Sequence, residues 1–317
     1  MKKYPLQLDY IAKSAIWGGT RLAEEFGKVG QGENIAETWE LSVRERENCR
    51  IRNGEAAGML LAEYFETVGD AVSAAYRRGD RFPLLVKLID ARDRLSVQVH
   101  PDDAYASRVE GDSGKTEMWY IVDAEEGATI IYGLADGISS AEFARLVAEG
   151  RIREGMREIP VHAGETYFIP AGMVHAIGGG ILIAEIQQNS DLTYRVYDYD
   201  RRDALGQTRP LHTEKALEVI RPFGEEEIDS IRYARGKEEG TLANSEYFKV
   251  WRVRVVGTEK MVATSESFVS ILCTEGEGSI GFDGEEYFMH KGDSYLLPAG
   301  MGECRVSGEM TLICSCL

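Results

Sequence analysis

Apolar residues recur along this chain at two periods, and the shorter one dominates. Leu60, Leu61, Tyr64, Phe65, Val68, Val72 and Ala75 fall at helical intervals, which predicts one or two helices between residues 57 and 80. A further helix is predicted over Ser140–Glu149, with a second turn near 153–157, and a short one over Arg21–Phe26, just after the turn signal Trp17-Gly18-Gly19. Elsewhere the pattern alternates. Thr38–Val43 reads as a strand, and the apolar run Phe82–Ile89, bounded by charge, as a buried strand. Leu95–Val99, Met118–Val122, Thr129–Tyr132, Glu165–Ile169 and Ile181–Gln187 are short, closely spaced strand candidates punctuated by Gly and Pro. Residues 224–245 are rich in charge and poor in large apolar side chains, which predicts a linker, and 246–317 is strand-like throughout. Many short strands with few helices predict a mainly β protein of sandwich or barrel type.

Composition narrows the function. The chain has 317 residues, enough for two domains, and a net charge of −17. That field disfavours nucleic acid and anionic membranes, and it repels an anionic substrate unless a local group of Arg and Lys overcomes it. No stretch of 18 apolar residues predicts a membrane span, and the N-terminus MKKYPLQLDY has no apolar core of a signal peptide. The cysteines are odd in number and form no Cys-x-x-Cys pair, as expected of reduced thiols in a cytoplasmic protein.

One segment occurs twice. Gly164-Glu-Thr-Tyr-Phe-Ile-Pro170-Ala-Gly172-Met-Val-His175 is echoed by Gly292-Asp-Ser-Tyr-Leu-Leu-Pro298-Ala-Gly300-Met-Gly-Glu303, and Glu126-Gly127-Ala-Thr-Ile130 by Glu277-Gly278-Ser-Ile280. The spacing is longer in the first copy, and the Ser140–Glu149 helix accounts for most of the excess. Two copies imply two related units. In Gly-(x)5-Pro-x-Gly-x-x-His the glycine opens a turn, five residues run along a strand, Pro-x-Gly turns again, and His points inward. This resembles the second cupin motif. The fold implied is two cupin-type (jelly-roll) β-barrels with a few inserted and flanking short helices. We divide the chain at 1–235, a catalytic cupin domain with N-terminal strands and helices, and 236–317, a degenerate cupin domain. Glu303 stands where His175 stands, so the metal is expected in the first only.

The metal donors follow from the same alternation. Gln98 and His100 are two apart, so on a strand they face one side. Glu117 opens the next strand and His175 completes the set. Two imidazoles, a carboxylate and an amide oxygen suit one zinc ion with an open position, and other divalent metals fit the same donors. His162, His212 and His290 lack such partners and are expected to be structural.

With these residues in place, Ser96-Val-Gln98-Val-His100-Pro-Asp-Asp resembles the signature of the type I phosphomannose isomerases. So do Trp17-Gly18-Gly19, Glu37-Thr-Trp39-Glu40, Phe82-Pro83-Leu-Leu-Val-Lys87, Gly114-Lys115-Thr-Glu117-Met-Trp119-Tyr120 and Tyr194-Arg195-Val-Tyr-Asp198-Tyr. Thr116 stands where longer members have Pro, and the chain lacks their separate helical domain, so it is similar to the short bacterial form. The resemblance implies that Gln98, His100, Glu117 and His175 hold the metal, that Arg195, Lys115 and Glu185 are active-site groups, and that Ser96, Lys87 and Trp17 line the substrate pocket. It implies a hexose 6-phosphate substrate for a monomer or weak homodimer.

Aldose–ketose interconversion through a cis-enediol needs a base near the carbon acid and a fixed positive charge for the enediolate oxygens. Arg195 supplies such a charge; Lys115, Glu185 and a water on the metal all qualify as the base. Two rivals are an iron-dependent cupin oxygenase, which needs no Lys115/Arg195 anion clamp, and a sugar-binding cupin without turnover.

Overall fold

The computed structural model describes the chain except for Glu33, Ala204 and residues 234–239. Its strands form three antiparallel sheets rather than closed barrels. A six-stranded sheet runs in the order Ile11–Lys13, Glu37–Leu41, Leu84–Ala91, Ile181–Gln188, Glu117–Ala124, Thr166–Ile169. A five-stranded sheet runs Tyr194–Tyr197, Val97–Val99, His175–Ile177, Thr129–Leu134, Met156–Pro160. The two share a core that joins Ile89, Trp119, Ile121 and Ile183 of the first to Ile130, Tyr132 and Ile177 of the second. This two-sheet unit is the first cupin.

The third, seven-stranded sheet holds the second cupin: Leu6–Leu8, Ser294–Leu297, Val269–Phe282, Gly302–Cys316, Lys249–Ala263 and Thr241–Asn244, with Glu285–His290 paired to Val269–Phe282. The N-terminal strand Leu6–Leu8 thus crosses into the C-terminal sheet. One core spans both units, combining Leu84, Val86, Met118 and Tyr120 with Phe248, Phe268, Leu272 and Ile313. Leu84–Ala91 is therefore buried on both faces along its whole length, Lys87 and Asp90 included. Where the first cupin holds donors, the second is filled by Met261, Met289, Met301, Met310, Cys273, Cys304 and Leu312. Glu303, the counterpart of His175, is exposed and pairs with Lys260 at 3.0 Å.

Helices form at Arg21–Phe26, Ser140–Ala148 and the 3-10 turn Ile152–Gly155, close to the predicted places. Between 57 and 80 only Leu61–Thr67 is helical. Gly69 and Asp70 stop it, and Val72 instead offers its carbonyl to Phe268 N of the second unit at 2.9 Å. The predicted linker is mostly structure: Glu225–Tyr233 is a helix and Thr241–Asn244 a strand, while 234–239 lie outside the described residues. The helix places Ile228 on the core between the two sheets, which its flanking charge conceals in the sequence. All five cysteines are free; burial pushes the Cys49 thiol up to about 12.

The two units are joined by a buried charge. Lys28 Nζ lies 2.7 Å from Glu40 Oε1 and donates to Gly292 O of the second unit at 2.7 Å. Removing one partner of a buried pair strands the other charge. Lys28→Met is expected to lower the unfolding free energy by about 3–5 kcal/mol in urea titration, and Lys28→Met/Glu40→Leu to recover most of that.

Candidate metal centre and cavity

Sheet register gathers the site. In the five-stranded sheet Arg195, Gln98, His175 and Tyr132 are successive cross-strand partners. In the six-stranded sheet the row is Trp39, Lys87, Glu185, Trp119 and Tyr167. Cross-strand neighbours share a face, so each sheet presents one row. Val97 and Val99, of opposite parity to Gln98, pack outward with Phe143 and Ala216 from the covering helices. The Pro170-Ala-Gly172 turn brings His175 back: Gly172 takes φ +87° and donates its N–H to His100 O at 2.9 Å.

His100, Glu117 and His175 are buried, with ligand atoms all within 4.8 Å of one another. His100 Nδ1–H donates to Leu192 O at 2.7 Å and His175 Nδ1–H to Met173 O at 2.8 Å. Both Nε2 lone pairs therefore face Glu117, each 3.4 Å from one carboxylate oxygen. Gln98 Nε2 lies 3.3 Å from His175 Nε2, and rotating the amide by half a turn points its oxygen at the same place. Burial, reinforced by the nearby Lys115, lowers His100 to about 3, and burial also lowers His175, so both imidazoles are neutral. Burial alone would raise Glu117, but the Lys115 ammonium outweighs it and holds the carboxyl well below its usual range.

The donor set fits a divalent cation. Two neutral imidazoles and an ionised carboxylate are the protonation states that metal binding requires. Both Glu117 oxygens are buried without a well-directed hydrogen bond. Lys115 Nζ lies 2.6 Å from Glu117 Oε2 and 3.2 Å from His100 Nε2, so the donors already converge on positive charge.

Beside this centre opens a cavity of about 420 Å³ whose wall includes Trp17, Lys87, Ser96, Gln98, Lys115, Glu185 and Arg195. Every residue expected to bind substrate or act in catalysis thus reaches one space. Trp17 is nearly fully buried in its wall. Glu185 accepts from Trp119 Nε1 at 3.0 Å and lies 3.1 Å from Lys87 Nζ and 3.9 Å from Lys115 Nζ. Lys87 is also 3.6 Å from Glu37; burial alone would lower it, but these carboxylates raise it instead. Arg195 donates to Ser96 Oγ at 3.2 Å and to Pro210 O at 2.8 Å. It forms no ion pair among the described residues, because Asp198 is taken by Arg201 and Arg209.

The sequence did not single out Glu37, Trp39 or Arg209, which also line the cavity. Glu37 and Trp39 alternate along their strand toward the face that carries Lys87, a signal that the motif Glu37-Thr-Trp39-Glu40 contained. Arg209 carries no such signal; it arrives because the chain after Asp198 folds back across Tyr194–Tyr197. His212 N donates to Arg195 O at 2.7 Å, and Arg195 N donates to His212 Nδ1 at 3.2 Å. His212 is therefore structural, as expected, but in support of the site's arginine. His162 and His290 are exposed, each beside a glutamate, and neither lines the cavity.

The fold and this centre define a cupin-type protein with a buried donor cluster suited to a divalent cation. Residues 6–135 match the family described as phosphomannose isomerase type I, catalytic domain, and 238–317 match mannose-6-phosphate isomerase, cupin domain. The chain is 39% identical over 318 residues to mannose-6-phosphate isomerase of Streptococcus mutans, covering 98% of each. It superposes on the crystal structure of the mannose 6-phosphate isomerase of Bacillus subtilis with a TM-score of 0.87 at 36% identity, covering 98% of this chain and 99% of that one. A zinc-bound mannose 6-phosphate isomerase shares the fold with a TM-score of 0.80 at 16% identity, over 98% of each chain. The chain belongs to the type I phosphomannose isomerase family.

Proposed function

We propose that this chain interconverts mannose 6-phosphate and fructose 6-phosphate through a cis-enediol. The observation that carries this is the placement of a buried His/Glu/His cluster at the edge of one cavity that also holds an arginine without a carboxylate partner among the described residues. Gln98, His100, Glu117 and His175 would hold one divalent ion, zinc by donor type, which when bound supplies Lewis-acid polarisation of the carbonyl. The remaining work falls to the chain's own groups. Arg195, permanently charged and fixed by Ser96 and Pro210, faces the oxygen on which negative charge develops. Glu185, positioned by Trp119 and Lys87, is the carboxylate placed to move the proton between C1 and C2, with Lys115 beside it to carry the hydroxyl proton.

Lys87 is committed to Glu185 and Glu37, so we assign the phosphate end to Ser96 and Arg209 instead. Ser96 lies two strand residues from Gln98, about 7 Å, comparable to the span of an open-chain hexose from its reacting carbons to its terminal phosphate. Arg201 and Arg209 are balanced there by Asp198 and Asp93, so the positive charge left over at that end of a strongly acidic protein is that of the neighbouring Arg195. No helix among the described residues is long and apolar enough to cross a membrane, and we place the enzyme in the cytoplasm as a monomer or weak homodimer.

A coupled assay on mannose 6-phosphate tests the reading. Turnover is expected to vanish after chelation and to return with one equivalent of zinc. Turnover that is unaffected by exhaustive chelation contradicts it. The iron oxygenase is disfavoured by the Lys115–Glu185–Lys87 charge row, and consumption of O₂ with iron would be its mark.

A further inference from the structure

At the end of the strand Ile181–Gln188 and just beyond it, four consecutive polar residues are buried: Gln187 0%, Gln188 8%, Asn189 3% and Ser190 0% exposed. None is in the cavity wall, and the mechanism above uses none of them. A polar run in a core is costly unless each group is bonded to something that matters. Their bonds lead to the metal donors from two sides.

On one side Gln188 grips Thr116, the residue between Lys115 and Glu117. Thr116 N donates to Gln188 Oε1 at 2.8 Å, and Gln188 N donates to Thr116 O at 3.0 Å. Gln188 Nε2 in turn reaches both oxygens of Asp103, at 3.2 and 3.3 Å. Asp103 Oδ1 also accepts from Gly114 N at 2.7 Å. Gly114 is a position where an added Cβ would meet Asp103 N at 2.5 Å. The segment Gly114–Glu117 is thus tied at both ends.

On the other side Gln187, the cross-strand partner of Glu117, donates from Nε2 to Ser190 O at 2.6 Å and to Gln188 O at 2.8 Å. That closes the turn. Ser190 Oγ then accepts from Leu192 N at 3.3 Å, and Leu192 O is the acceptor that orients His100 through Nδ1. Asn189 points elsewhere: it bonds Phe82 O and Pro83 O, at the entry to Leu84–Ala91.

We propose that Gln187 and Gln188 are positioning residues for the metal centre, holding Glu117 through Thr116 and His100 through Leu192. This rests on the metal reading given above. Partners that orient a ligand are ordinarily worth roughly 10–100-fold in metal affinity. Asn189, bonded to a strand that carries no ligand, contributes to the fold alone.

The test is zinc affinity of the full chain, measured by competition with a chromophoric chelator, beside the melting temperature of the metal-free protein. Gln188→Met and Gln187→Met are expected to bind zinc roughly 10–100-fold more weakly than wild type. Asn189→Ala is expected to lower the melting temperature and leave the affinity unchanged. Where Gln188→Met does not fold, Gln188→Glu replaces it. Alone, Gln188→Glu sets two carboxylates against each other and is expected to weaken zinc binding. Gln188→Glu/Asp103→Asn restores the donor–acceptor match and is expected to recover it. Wild-type affinity in both Gln187 and Gln188 variants overturns the proposal, as does Asn189→Ala weakening zinc as much as they do. A wild type that binds no zinc overturns the metal reading and this proposal with it, whereas tight wild-type binding with unchanged variants overturns only this one.

Discussion

His100→Ala and Glu117→Ala are expected to lose metal and turnover together. Each removes a donor from a buried set, and the described residues offer no further ligating group in that cluster. Lys115 Nζ, 2.6 Å from the Glu117 carboxylate, has no place in a ligand sphere, and Gln98 is already counted. Loss of a Lewis acid worth several kcal/mol of transition-state stabilisation corresponds to roughly 10³-fold or more in kcat. Elemental analysis and the coupled assay on the same preparations check this. In Glu117→Ala, Lys115 also loses its carboxylate, so added zinc is not expected to rescue it. His100→Ala, which leaves Glu117 and His175 in place, is expected to regain partial activity at high zinc. A variant that retains stoichiometric zinc with no activity, or activity with no metal, breaks the link between the two.

Arg195→Ala is expected to behave in the opposite way: full metal content and a fall in kcat of about 10²–10³-fold, the ordinary effect of removing one group that stabilises a developing oxyanion. The structure separates the two functions. Arg195 touches Ser96 and Pro210, not a donor atom of the cluster, although its backbone pairs with Gln98. Arg195→Lys keeps charge but not the fork that fixes it, so it is expected to recover only part of the loss. Full turnover in Arg195→Ala would remove the residue from the mechanism.

Much of this centre was legible before any fold was seen. Gln98 and His100 announce themselves because strand parity puts i and i+2 on one side, and His175 because Gly-(x)5-Pro-x-Gly-x-x-His fixes a turn by local geometry. Both signals are local. What escaped was carried by long-range packing. Arg209 enters the cavity only because the chain after Asp198 doubles back, and nothing around it in sequence distinguishes it from an exposed arginine. Gln187–Ser190 reads as a polar strand end; its burial is decided by Thr116 and Phe82, both distant in sequence. The helix Asp103–Val109, with only Ala106 buried and Asp102 as its cap, lacked an apolar stripe to predict it. Residues 224–245 show the same limit: acidic composition suggested a linker, yet Ile228 on the helix Glu225–Tyr233 reaches the core. Conversely, Val72 kept a helical spacing past the end of the helix Leu61–Thr67, because packing shared with the second cupin, not a longer helix, buries it.

The duplicated motif also gains a physical meaning. In the first copy the residue after the second turn is His175, buried and aimed between the sheets; in the second it is Glu303, exposed and paired with Lys260. The second unit fills its interior with methionine, cysteine and aliphatic side chains, and it covers the back of Leu84–Ala91. Its contribution to the active site is therefore mechanical, through the strand that carries Lys87.

Crystals of the zinc-loaded protein measured on either side of the zinc absorption edge give the most direct test. One anomalous peak per chain is predicted, about 2.0–2.2 Å from His100 Nε2, His175 Nε2 and a Glu117 oxygen, with the Gln98 amide oxygen turned toward it. A peak elsewhere in the chain, with these side chains bonded only to one another, would contradict the account.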